Sequence, residues 1–277
     1  LDTASGAAAA YSLRNLSSSY TGSVVEVRRS SDGALRSFTA AEVTDGTLVA
    51  WVGAGNDGTV SKWYDQSGND KHATQGTTAS QPKIVSAGSL VTGGLDFDGT
   101  NDVLETSLVP PNVATLIGVA NWDVINATGM IIGARDSADQ RSYISQINSG
   151  FSAVGVSASA LRGPSVVAGD DYLLYGSYSG STRSLSTNGV LLTDESGTVP
   201  NNTTQGYSIG ALNNIGTNDA FMNGTISEVI IYASDQSDKR RAIEENIGSN
   251  YGITLTSSKD GTVSKWYDQS TTSGVPN

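Results

Sequence analysis

The sequence contains no cysteine. That excludes disulfides, zinc-thiolate sites and thiol catalysis together. A chain of 277 residues can bury a sizeable core without cross-links, so the absence does not fix a compartment. Basic residues are sparse: 16 Lys and Arg stand against 27 Asp and Glu, giving a formal net charge of -11. No cluster of Lys and Arg occurs, which argues against nucleic acid and against an anionic membrane surface as partners. No apolar run approaches the roughly 20 residues that cross a bilayer, so membrane insertion is not expected. The first residues, Leu1-Asp2-Thr3-Ala4, are no signal peptide and read as the interior of a longer product. Histidine occurs once, at His72, and a lone histidine builds no Ser-His-Asp relay without partners that the sequence cannot place. It reads as a turn residue.

What is abundant is the chemistry of strands and tight turns. Gly alone contributes 32 residues, and Ser, Thr, Asn and Val are plentiful. Strands are expected over 24–29, 35–39, 48–52, 60–64, 83–85 and 95–98, the last running into an Asp/Gly/Asn turn, and again over 103–106, 114–122 and 130–134. The segments 114–122 and 130–134 are apolar enough to be buried on both faces. Further strands are expected over 141–147, 151–156, 172–179, 183–187, 190–193, 207–212 and 224–233, with Asn188-Gly189 as a hairpin turn. The Ala-rich stretch 7–16 favours a short N-terminal helix, and 40–45 a single helical turn. A closing helix over 238–249 has Ser237 as N-cap and Ala242, Ile243 and Ile247 on one face. The expected fold is therefore all-β: a two-sheet antiparallel jelly-roll sandwich over 1–255, with one short N-terminal and one C-terminal helix. A polar tail, 256–277, follows. Eleven residues, Asp57–Ser67, return unchanged there at Asp260–Ser270, and Val263–Tyr267 could add to a sheet edge of a neighbouring subunit.

Few residues stand out as chemical. Glycoside hydrolysis uses two carboxylates about 5–5.5 Å or about 6.5–9.5 Å apart. Asp65, Asp98, Glu105 and Glu228 are the best placed by local pattern, and Asp65 and Glu228 are the catalytic candidates. Against this, Asp65 is expected to cap its own turn through the Ser67 or Gly68 amide, and Asp98 and Asp102 have the same turn chemistry. Glu228, if it faces inward, needs a cation such as Arg28 or Arg29. Calcium could bind the Asp98–Asp102 oxygens, but no dense Asp-x-Asp-x-Asp loop supports it, so neither cofactor nor metal is expected. Trp63, Tyr64 and Asp65 are the candidate ligand contacts. Trp51, Trp63, Trp122 and Trp266 could each stack on a sugar, with core packing the favoured reading for Trp63 and Trp122.

Two resemblances follow from these residues. Leu95–Asp102 (Leu-Asp-Phe-Asp-Gly-Thr-Asn-Asp), Asn223–Tyr232 (Asn-Gly-Thr-Ile-Ser-Glu-Val-Ile-Ile-Tyr) and the closing segment 240–253 resemble a concanavalin A-like, laminin G-like jelly-roll family. Ala10–Arg14, Val27–Asp32 and Trp63–Asn69 resemble the opening of fungal-type α-L-arabinofuranosidase catalytic domains, and similar openings occur in non-enzymatic marine bacterial and phage virion proteins. The resemblance to the enzymes implies a nucleophilic Glu in a Gly-Asn-Ala-Glu segment. The nearest counterpart, Ile132-Gly133-Ala134-Arg135-Asp136, has no Glu. The expectation is thus a non-catalytic structural or adhesion module of a virion or cell surface, homo-oligomeric, partnered by other surface proteins and by cell-surface glycans. The alternative is an arabinofuranosidase-like glycoside hydrolase.

Overall fold

The computed structural model describes residues 1–125, 127–137, 140–147, 150–156, 159–194 and 203–256. The repeated segment Asp260–Ser270 and Trp266 lie outside the described residues.

The chain is almost entirely β. The front contributes β1 (Ala7–Ser12), β2 (Ser23–Arg29), β3 (Leu35–Thr39), β4 (Gly58–Trp63), β5 (Ala73–Thr74), β6 (Lys83–Ser86), β7 (Ser89–Leu90), β8 (Leu95–Asp98) and β9 (Leu104–Glu105). The middle contributes β10 (Ala114–Trp122), β11 (Gly129–Ser137), β12 (Gln140–Ile147), β13 (Phe151–Val156), β14 (Ser159–Ser165), β15 (Asp171–Ser179), β16 (Thr182–Thr187) and β17 (Val190–Asp194). The end adds β18 (Ser208–Ile209), β19 (Leu212–Asn214), β20 (Thr217–Asp219) and β21 (Asn223–Tyr232). Helices α1 (Ala40–Thr44), α2 (Thr47–Val52) and α3 (Arg240–Tyr251) complete the elements used below.

One layer runs β1 or β8, β21, β10, β15, β16, β17 by antiparallel pairing. The other runs β14, β13, β12, β11, then β18, β9, β5 and β4 to the β2–β3 hairpin. The β11–β19 pair is parallel. The layers face each other closely: a Cβ added at Gly118 of β10 would lie 2.7 Å from Ile131 Cγ2 of β11. Between them sits the main core, with Trp63, Trp122, Phe97, Ile144, Val154 and Leu174 all fully buried. A second apolar layer lies on the far face of the β10–β15–β21 sheet, where Ile243 and Ile247 of α3 cover Ile117, Tyr175 and Tyr232. Three layers result, and they are a β-sandwich carrying one helix.

The alternating pattern reads through as expected. Asn188 and Gly189 both take positive φ (47° and 85°), the two-residue turn that matches strand twist. Four local expectations need correction. The N-terminal segment is not a helix: Ala7–Ser12 is β1, paired with β21 in the register Ala10↔Ile230 and Tyr11↔Val229. A central strand supplied with partners outweighs the modest intrinsic preference of alanine for helix. Conversely, 48–52 is helix α2, not a strand. Gly46 turns left-handed at φ 90°, Asp45 Oδ1 accepts the Thr47 amide at 2.8 Å, and Leu48 and Val52 bury one helical face. Ser237 does not cap the closing helix. It opens a 3₁₀ turn, Ser237–Lys239, whose first amide donates to Asp235 Oδ1 at 2.9 Å, and α3 starts only at Arg240. Finally, β14 had no counterpart in the expected strands.

Candidate active site

The sequence-expected carboxylates are placed first. Asp65 follows β4 and is 4% exposed. Its Oδ1 accepts the amides of Ala10 (2.9 Å) and Ser67 (2.8 Å), and its Oδ2 accepts the Ser67 hydroxyl (2.8 Å) and the Lys71 amide (3.0 Å). Both oxygens tie the turn to β1, which is a fastening role. Glu228 on β21 is wholly buried. Its partner is Arg14, not Arg28 or Arg29: Nε donates to Oε2 at 2.8 Å and Nη2 to Oε1 at 3.0 Å. The Ser12 and Tyr251 hydroxyls lie 3.1 and 3.0 Å from Oε2. A carboxylate so surrounded is held as an ion, with burial and its negative charge together raising the Tyr251 phenol far above its usual range.

Of the aromatic candidates, Trp63 is fully buried and stacks at a tilt on Tyr11, ring centroids 5.9 Å apart. It presents no face to a ligand. Tyr64 is half-buried, edge-on to His72 at 5.0 Å, with its hydroxyl 2.9 Å from Ser37 Oγ. His72 Nδ1 accepts the Asp65 amide at 3.1 Å, so it belongs to the same turn. Asp98 Oδ1 accepts the amides of Thr100, Asn101 and Asp102. Burial and the neighbouring Asp98 raise Asp102 to about 6. Among the described residues, no three His, Asp or Glu side chains converge on a metal position. Glu105 accepts the Asn218 side-chain amide at 2.9 Å on the molecular edge.

Two recesses remain. One, about 510 Å³, is lined by Leu13, Val43, Leu90, Val91 and Tyr251 among others, and none of its lining residues is acidic. The other, about 500 Å³, lies on the outer face of β11–β14. Its floor is a small apolar cluster with Met130, Tyr143, Ile147 and Leu212. Its walls carry Arg135, Arg141, Arg162 and Asp219. Strand alternation explains the placement. Gly133 and Arg135 of β11, Arg141 and Tyr143 of β12, and Ala160 and Arg162 of β14 each stand two residues apart, so each pair shares a face. Tyr143 is flanked by glycine on both neighbouring strands, Gly133 and Gly155. Its phenol lies across Gly155, where an added Cβ would come within 2.0 Å of the ring. Arg141 sits over the ring, 5.6 Å from its centroid. Asp219, at the end of β20, has its Oδ2 fixed by the Asn214 side-chain amide at 2.9 Å. Asp136, next along β11, is instead taken by Thr204, whose amide and hydroxyl donate to Oδ2 at 2.6 and 2.9 Å.

These trough residues were not picked out from the sequence. Period-two spacing within each strand was the available signal, but only the sheet order brings the strands side by side.

The sandwich fold defines the class of protein. Among solved structures, a Glu-to-Gln mutant of a GH54 α-L-arabinofuranosidase, soaked with 4-nitrophenyl α-L-arabinofuranoside, shares the fold with TM-score 0.67 at 18% identity, over 87% of this chain and 62% of that chain. An arabinofuranosidase complexed with arabinofuranosyl-α-1,2-xylobiose aligns with TM-score 0.64 at 16% identity over the same shares. A Trypanosoma rangeli sialidase mutant displaying trans-sialidase activity aligns with TM-score 0.50 at 16% identity, over 71% of this chain and 32% of that chain. More particularly, residues 2–92 match the family model described as alpha-L-arabinofuranosidase B, catalytic. No curated protein matches. The chain spans 62% of the length of the arabinofuranosidases it resembles. The expectation of a non-catalytic virion or surface module is corrected by the catalytic-domain match, which favours the glycoside hydrolase reading instead.

Proposed function

We propose that this chain is an arabinofuranosidase-like glycoside hydrolase whose sugar lies in the trough over β11–β14. The observation that carries the proposal is the match of residues 2–92 to an arabinofuranosidase catalytic domain. The trough suits it chemically. It joins a carboxylate, an aromatic floor and guanidinium donors in one open recess.

Asp219 takes the proton-transfer role. It is the acidic side chain in the trough lining, and the Asn214 amide orients it while leaving Oδ1 toward a substrate oxygen. Tyr143 and the arginines position the sugar and exclude water beneath it. Arg135 stands where the resemblance to the enzymes calls for Glu, so the chemistry here departs from a simple carboxylate pair.

The test is release of 4-nitrophenol from the α-L-arabinofuranoside and of sugars from a panel of arabinose-bearing polysaccharides. Asp219→Asn is expected to lower kcat by about 10²–10⁴ with melting unchanged. Tyr143→Phe is expected to raise KM more than it lowers kcat. Turnover unaffected by Asp219→Asn would remove this site from the reaction.

A further inference from the structure

We infer that the trough over β11–β14 selects a carboxylate-bearing sugar residue, such as a uronic acid in an acidic glycan, through Arg135, Arg141 and Arg162. The inference rests on the trough being the sugar site and names the kind of sugar it takes.

The charge distribution is the first observation. The chain is acidic overall, with 16 basic residues in 277. Three of those are arginines brought into one recess from three different strands. Scattered surface charges in a protein of net charge -11 have no reason to converge in this way, because like charges placed together repel. An anion between them removes that cost.

The second observation is how closely they converge. Burial pushes the Tyr143 phenol up, and Arg141, Arg162, Arg135 and Arg183 all act against that rise, so four guanidinium groups bear on one hydroxyl. Arg135 is braced at the rim, its Nε donating to the Ser137 carbonyl at 3.2 Å. Arg141 is braced over the Tyr143 ring. Arg162 is exposed on β14, the edge strand of the layer. Asp219 is the one acid in the lining, too few to neutralise three arginines.

The third observation lies in the floor. Ser145 occupies the same outward row of β12 as Tyr143 and Ile147, is fully buried, and its hydroxyl has no hydrogen-bond partner. A buried hydroxyl left unpaired costs free energy unless something meets it. A polar ligand reaching the floor would supply the partner.

Together these describe a ligand with an apolar underside, hydroxyl groups and one planar anion. A carboxylate fits better than a spherical charge, because guanidinium forks pair with its two oxygens in a plane. A neutral sugar would leave the arginines unanswered.

The experiment measures binding, not turnover, by isothermal titration of the full chain. The probes are a defined oligogalacturonate and its carboxyl-reduced, neutral counterpart. The acidic oligosaccharide is expected to bind at least about tenfold more tightly, with affinity falling as salt rises. Each of Arg135→Gln, Arg141→Gln and Arg162→Gln is expected to weaken it by about tenfold while leaving the neutral probe unchanged. Because all three side chains stand at the surface of the trough, thermal melting should be unaltered, and it serves as the folding control. Equal affinity for the two probes, or no loss in the arginine variants, overturns the inference. So does tighter binding of a sulfated oligosaccharide of equal length. The two proposals fail separately. Acid-selective binding without turnover on any glycan sinks the hydrolase and keeps the carboxylate assignment. Turnover of neutral arabinofuranosides without acid selectivity does the reverse.

Discussion

At the residue scale, the buried acids divide into those that fasten the fold and those that strain it. Glu228 fastens it. Its four polar neighbours come from β1, the turn after it and α3, so one carboxylate ties three elements. Arg14→Met leaves that charge uncompensated and is expected to cost about 3–5 kcal/mol in urea unfolding, whereas Asp65→Asn breaks a turn and loosens β1. Neither change should touch the trough. Asp102 strains the fold, because burial and Asp98 raise it to about 6. An acid whose folded pKa lies above its unfolded value of about 3.9 binds more protons folded than unfolded in that window. Stability therefore falls as pH rises from about 4 to about 6 and stays lower above it. Asp102→Asn should remove that slope and gain on the order of 1 kcal/mol at pH 8, discounted for partial solvent screening. Melting temperature followed against pH for both proteins is the check, and an unchanged slope in the variant contradicts the assignment.

At the element scale, the sequence was legible wherever alternation and turn chemistry agreed. The strand 114–122 and the hairpin about Asn188-Gly189 are such places, since both carry their signal locally. It misled where tertiary pairing decides. Alanine at 7–10 reads as helix until β21 offers a partner, and the apolar run at 48–52 reads as a strand until Gly46 and Asp45 start a helix. β14 was invisible because Gly163 and Pro164 break its pattern, and only an edge strand tolerates that proline. The trough was illegible for a related reason. Its residues come from strands distant in sequence, and its key carboxylate, Asp219, has no local motif. The packing of β12 against β13 gives the element-scale prediction. Gly155→Ala drives a Cβ into the Tyr143 ring, 2.0 Å from its Cζ. The ring must leave its place, at a cost of about 1–3 kcal/mol, and ligand affinity in the trough should fall with it. An alanine variant as stable as the parent would show the ring to be free to move.

At the scale of the whole molecule, the sandwich is a scaffold that turns one sheet face inward to the core and leaves the other open over β11–β14. The opposite sheet has its outer face closed by α3, so the open face is where a substrate can lie. The front third of the chain, which matches a catalytic domain, does not itself line this trough. It supplies β2–β6, the half of the sandwich that completes the sheet in which β11 and β12 stand. This separates the part of the sequence that is recognisable from the part that would do the chemistry. It also explains why the motif around Trp63 and Asp65 attracts a catalytic reading while performing a structural one. The most direct measurement of the central claim is steady-state hydrolysis of arabinofuranosides and acidic arabinose-bearing glycans by the parent chain, Asp219→Asn and Asp65→Asn, each checked for folding. The prediction is turnover by the parent, loss of about 10²–10⁴ in kcat for Asp219→Asn, and kcat within a few-fold of the parent for the folded fraction of Asp65→Asn. No turnover by the parent on any substrate, or equal turnover by the parent and Asp219→Asn, would contradict it.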